Sequence, residues 1–174
     1  MNVGAAILGG IVGGGAMIAI LYPMMWMMPE QMKMNLLKLL GTMLVPVGAA
    51  ALVAGLMMHA MMSAGFGLIH GALLEGVGAD SVGAGLALGI LFGLAHAVIT
   101  GSMLGVMPLM HPRMRPAQPK LIPAMAGMAP GPDEELLDPP GFFGLNYPMP
   151  TVMGFFMLHI VFGLIVGAIY GAAA

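Results

Sequence analysis

Four of the five histidines stand deep inside long apolar stretches of this sequence: His59, His70, His96 and His159. An imidazole can relay a proton, ligate a metal or tie two helices by a hydrogen bond. In an apolar segment an ionisable group is costly and normally faces other protein. Their spacing is ordered. His59 opens H-A-M-M-S-A-G-F-G-L-I-H-G at 59–71, and His159 opens H-I-V-F-G-L-I-V-G-A-I-Y-G at 159–171. His59 matches His159, Ser63 matches Gly163, Gly67 matches Gly167 and Gly71 matches Gly171, with His70 opposite Tyr170. Positions four apart share a helix face. Each copy therefore predicts one ridge carrying a histidine and small residues, against which a second backbone can close. Gly13 and Gly93 supply small residues for the same purpose in other segments.

Three chemistries fit these histidines. In the first, each neutral ring bonds a carbonyl or hydroxyl on a neighbouring helix and fixes the packing, with Thr100, Ser63 and Tyr170 as partners. In the second, His59 and His159 are the axial pair of a haem b or chlorin, and the glycines make room for the ring. In the third, His59, His96 and His159 hold a transition metal such as copper, fed by methionine-rich loops. Helical rise puts those three histidines near one depth and His70 nearer the outer surface. No Ser-His-acid set or carboxylate pair lies within the uncharged stretches, so hydrolytic chemistry is not expected.

Methionine invites a copper reading at two places. Six methionines fall between Met24 and Met34, and His111 sits with Met107, Met110 and Met114 in M-P-L-M-H-P-R-M. Thioethers bind Cu(I), but methionine also fills apolar gaps without metal. With methionine abundant throughout the chain, packing is the favoured reading, and His111 is expected in an exposed loop.

The elements that must position these groups follow from composition. Hydrophobic residues make up 60% of the chain and charged ones 7%, which defines a membrane protein. Residues 1–29, 39–74, 81–112 and 139–174 contain no Asp, Glu, Lys or Arg. Each can hold one span of about 20 residues. The expected spans are 3–26, 46–76, 82–109 and 149–170. Tyr22-Pro23 and Pro29 are expected to break the first near its end, Pro46 to open the second, and Asp80 or Ser81 to cap the third. Residues 30–45, with Lys33 and Lys38 beside a leucine cluster, predict a short interfacial helix. Residues 110–148 predict a long Pro-rich loop carrying Asp133, Glu134, Glu135 and Asp138; eleven prolines between 108 and 150 forbid a continuous helix there. That loop is expected to lie on its own protein or on a partner. The whole is a single all-α integral membrane domain.

Lys33 and Lys38 lie in the first loop and Arg113, Arg115 and Lys120 in the third. The positive-inside rule then puts both termini outside. The N-terminal span lacks the basic flank of a cleaved leader and is expected to be retained. The matched segments make spans one and two equivalent to spans three and four, as two helix-pair repeats of parallel orientation. No basic patch interleaved with aromatics suggests nucleic acid. Without cysteine there is no disulfide or thiolate site.

Several segments together resemble a family of small four-helix bacterial and archaeal membrane proteins, the one grouped as domain of unknown function 6789. They are the glycine-rich first span, M-N-L-L-K-L-L-G-T-M-L at 34–44, L-M-M-H at 56–59, V-M-P-L-M-H-P-R-M at 106–114 and the segment at 159–171. The resemblance implies four spans and brings no activity with it; the acidic Pro-rich insert departs from it and suggests a specific partner. The expected protein is a non-enzymatic accessory or scaffolding subunit of a larger complex in the cytoplasmic membrane of a prokaryote. A haem- or pigment-binding electron-transfer subunit and a copper-binding or copper-transporting protein are the alternatives.

Overall fold

A computed structural model describes residues 1–115, 130–131 and 133–174. The chain is helical. In order come α1 (Val3–Met27), α2 (Leu36–Gly41), α3 (Ala49–Gly76), α4 (Val82–Val106) and α5 (Met149–Ala172). All but α2 are long and apolar enough to cross a membrane, α4 together with the 3-10 turn Met107–Leu109. Asn2, Asn35 and Ser81 cap α1, α2 and α4, each accepting from a backbone amide three residues on.

Two boundaries differ from the sequence expectation. Pro23 does not end α1, which runs through it to Met27. A proline in the last turn forfeits one hydrogen bond but leaves little helix beyond it to disrupt. Pro46 does not open α3, which begins at Ala49. The interfacial segment 30–45 forms only one and a half turns of helix, with Leu37, Leu39 and Leu40 buried. It leans on α3: a Cβ on Gly55 would overlap the Leu37 carbonyl, and one on Gly41 the Ala51 carbonyl.

Helices α1 and α5 pack together at the centre, α3 flanks α1, α4 flanks α5, and α3 and α4 touch only slightly. Two seams of small residues set this order. Along α1–α3, a Cβ on Gly10 would meet the Ser63 carbonyl, one on Gly67 the Ala6 carbonyl, and one on Gly14 the Ser63 hydroxyl. Along α4–α5, Gly85 and Gly167 each press on the other's carbonyl, as do Gly89 and Gly163, and Gly93 faces the His159 carbonyl. Gly13 lies under the Phe162 ring, Gly71 against Ala6 and Tyr170, and Gly171 against the Ser81 carbonyl. With no Cβ the axes come close enough for dispersion contacts over the whole crossing, the main attraction available between helices in lipid. Many large side chains face outward: Ile11, Leu56, Leu91, Ile99 and Met153 are all exposed to the surroundings of the bundle.

The described part of the acidic loop folds back on its own chain. Met114 and Leu137 form a parallel bridge, with Arg115 N–H donating to the Leu137 carbonyl and Leu137 N–H to the Arg113 carbonyl, both at 2.9 Å. Arg113 donates to Glu134 at 2.8 Å and to the Thr42 carbonyl at 3.1 Å, and Lys38 donates to Glu135 at 2.7 Å. Glu134 and Glu135, two of the acids expected to seek a partner, are thus held within the molecule. Nearby, burial pushes the Tyr147 hydroxyl above its usual pKa, and the Asp138 carboxylate adds to that shift.

A candidate site in a histidine-walled cavity

Between the seams lies a cavity of about 150 Å³, mostly apolar. His59 and Ser63 of α3, His96 and Thr100 of α4, and Thr151 and His159 of α5 supply its polar wall. It reaches the outer surface between α3 and α4, where Met62 and Met103 border it and are 42% and 48% exposed. The slight contact between those helices leaves that side open.

Each histidine has a different hydrogen-bond state. His59 donates from Nε2 to the Gly14 carbonyl of α1 at 3.1 Å. The ring of His159 lies 2.7 Å from the Phe155 carbonyl through Nδ1 and 3.1 Å from the Thr100 hydroxyl through Nε2. A carbonyl only accepts, so Nδ1 carries the proton of a neutral ring and Nε2 is an acceptor facing the Thr100 hydroxyl. That hydroxyl donates to the His96 carbonyl at 2.8 Å, so its one proton is shared between two acceptors. His70 donates from Nδ1 to the Phe66 carbonyl of its own helix at 2.9 Å, which leaves Nε2 a bare lone pair. That Nε2 is buried with no hydrogen-bond partner; the Phe92 carbonyl nearby is itself an acceptor and cannot satisfy it. His96 goes further: it is 8% exposed, and neither of its ring nitrogens is bonded by a described residue.

The rings associate through His96. Its centroid is 3.9 Å from Phe66, 4.8 Å from His159, 5.3 Å from His70 and 5.5 Å from Phe162. His70, a candidate ligand placed nearer the outer surface by its depth in the sequence, has its ring beside that of His96. His59 and His159, the pair matched by position, both line the cavity, but their bonds run elsewhere, to Gly14 and to Phe155 and Thr100. The glycines reserved by the haem reading for a flat ring are filled by the opposing backbone. Among the described residues no three His, Asp or Glu side chains converge as a metal ion would need.

His111 is not an exposed loop residue. It is fully buried, donating from Nε2 to the Leu39 carbonyl at 2.9 Å and accepting at Nδ1 from the Arg113 amide at 3.1 Å. Both nitrogens are engaged, which leaves no lone pair for copper. Met114 is buried among Met34, Leu39 and Leu104, and Met107 packs on that cluster; Met110 lies in the turn before His111.

Sequence reasoning passed over Thr151, Thr42 and Arg113. Thr151, 2% exposed, donates to the Gln31 carbonyl at 2.5 Å and accepts from the Lys33 amide at 2.9 Å, pinning the first loop to the start of α5. A polar residue in the first turn of an apolar span was the available signal. Comparison of the chain with family models, with curated proteins and with solved structures finds no match.

Proposed function

We propose that this protein is a non-enzymatic, multi-pass subunit of a prokaryotic cytoplasmic membrane that holds a small hydrophobic ligand within a larger assembly. The observation that carries the reading is His96: a deeply buried imidazole on a cavity wall, bonded by no described residue. Buried polar groups are normally satisfied, and a mostly apolar cavity with a few polar groups is the usual form of a small-molecule site. The opening between α3 and α4 gives access from the bilayer. This deepens the cofactor-binding alternative while leaving haem and copper without a prepared site.

The scaffolding role is kept as part of the same proposal. Met149, Met153 and Met157 form an exposed stripe on α5, and flexible thioethers suit a surface that adapts to a partner. Two further readings belong here. The α1–α3 and α4–α5 seams, with His59 and His159 at equivalent places, support two helix-pair repeats about an axis along the membrane normal, in the manner of the domain of unknown function 6789. The basic residues support a cytoplasmic face for the first and third loops; cysteines at Gly78 and Ala173 should then react with an impermeant reagent from outside, and one at Glu30 should not. Reaction at position 30 in intact cells would reverse the orientation.

Purification from native membranes in mild detergent tests the main proposal. Native mass spectrometry should show added protein subunits, and solvent extraction should release a hydrophobic compound in near-stoichiometric amount. A lone chain carrying only bulk phospholipid would overturn it.

A further inference from the structure

The hydrogen-bond states around His96 say what kind of ligand the cavity takes; the argument rests on the ligand-binding reading above and narrows it. His70 Nε2 is bare because its Nδ1 proton is committed to the Phe66 carbonyl. The buried, unbonded nitrogen of His96 is Nδ1, and the two rings lie 5.3 Å apart. A second lone pair at Nδ1 would face the bare Nε2 of His70 across that apolar space. A proton on His96 Nδ1 is the electrostatic complement of that lone pair. A neutral imidazole carries one ring proton, so His96 Nε2 is then an acceptor.

Two other wall groups agree. The Thr100 hydroxyl has its one proton engaged by the His96 carbonyl at 2.8 Å and His159 Nε2 at 3.1 Å, and offers only oxygen lone pairs. The Ser63 hydroxyl, on a residue 4% exposed, is bonded by no described residue and can donate or accept. The polar wall is therefore richer in acceptors than in donors. It matches a ligand that brings a hydroxyl, not one that offers only carbonyl oxygens.

Size and access narrow the class further. A dry apolar cavity of roughly 150 Å³ takes one benzene-sized ring, which matches the volume here. The gap between Met62 and Met103 leads to the lipid, so an attached alkyl or isoprenoid tail need not be enclosed. We propose that the cavity binds the ring of a hydroquinone-type lipid, with a ring O–H donating to His96 Nε2 and the tail leaving between α3 and α4.

The test uses the full chain in nanodiscs, with calorimetric titration of decylhydroquinone, whose ring carries no substituent but the tail, of its dimethyl ether, which keeps the ring and tail but has no hydroxyl, and of oxidised decylbenzoquinone. Decylhydroquinone should bind one to one, and the ether and the quinone at least tenfold more weakly. His96→Leu should remove that preference. Because the preference is read on the unaltered protein, the test survives a His96→Leu chain that fails to fold. Met103→Trp, at the mouth, should weaken all three probes. Equal binding of quinol and ether, lost together in Met103→Trp, would overturn the hydroxyl assignment and leave the cavity a general apolar site. Binding of none of the probes would overturn the hydroquinone assignment; if native extraction also released no compound, the ligand-binding reading would fall with it.

Discussion

The two seams of this bundle are built from the same kinds of residue and end in different places. The α4–α5 seam has glycine on both sides: Gly85 and Gly89 face Gly167 and Gly163, each pressing on the other's carbonyl. The α1–α3 seam has Ala6 and Ser63 where the other has glycine, and Gly14 meets a side-chain hydroxyl instead of backbone. The histidines follow the same division. His59 reaches across to a carbonyl of the neighbouring helix, while His159 is held by its own helix and by a threonine. A seam of backbone against backbone has nothing that can move aside. A seam with a serine in it has a side chain that can, and that serine borders the cavity. The tighter seam reads as the fixed half of the molecule and the looser one as the half that lines a site.

The largest effect should come from loading the tight seam. Gly167→Leu places a side chain where the Gly85 carbonyl now lies. The cost should reach or exceed the upper end of the ~1–3 kcal/mol typical of overpacking, seen as loss of folded protein or a large fall in thermal midpoint in detergent. Wild-type stability would mean that α4 and α5 do not meet there. Gly83→Leu is the control, because nothing lies within 4 Å of a Cβ at that position.

Exchanging the distinguishing residue sharpens the comparison. Gly163→Ser should cost about 1–3 kcal/mol, since its Cβ would overlap the Gly89 carbonyl. Ser63→Gly should change stability by about 1 kcal/mol or less, because it deletes a hydroxyl without a described partner. Equal costs measured by denaturant titration would erase the distinction between the seams.

These seams were partly legible in the sequence. The four spans follow from the charge-free stretches, and the His-and-glycine ridges from spacing by four. Which faces meet was harder to read, for a physical reason. In lipid the outward face is as apolar as the core, so hydrophobic periodicity does not separate inside from outside. Ile11 and Ile99 face out while Gly10, Gly89 and His96 face in. Small residues are the only strong signal, and they give the ridge without the crossing angle. That is why counting turns gave the depths of His70 and His96 but not the 5.3 Å approach of their rings. His111 and Arg113 were misjudged for another reason: their partners, Leu39, Thr42 and Glu134, come from segments distant in the chain.

Outside the seams the effects should be smaller. Glu134→Ala leaves the mostly buried Arg113 side chain with the Thr42 carbonyl as its one acceptor among the described residues. It should cost about 1–2 kcal/mol and speed proteolysis of the segment 133–138. Unchanged protection would mean that the bridge at Leu137 holds the loop without the ion pair. Lys38→Ala removes an ion pair with Glu135, whose side chain is 61% exposed. About 0–1 kcal/mol is expected, diminishing with salt; a larger, salt-insensitive loss would show that Lys38 does more than pair at the surface.

The central claim is that His96 presents a bare Nε2 to the cavity, and ring-nitrogen NMR of the histidine-labelled protein in lipid tests it most directly. His96 should show a proton-bearing resonance at Nδ1 and an unprotonated one at Nε2, and added decylhydroquinone should move the Nε2 resonance alone among the histidines. A proton on Nε2, or an Nε2 resonance indifferent to the quinol, would contradict the account.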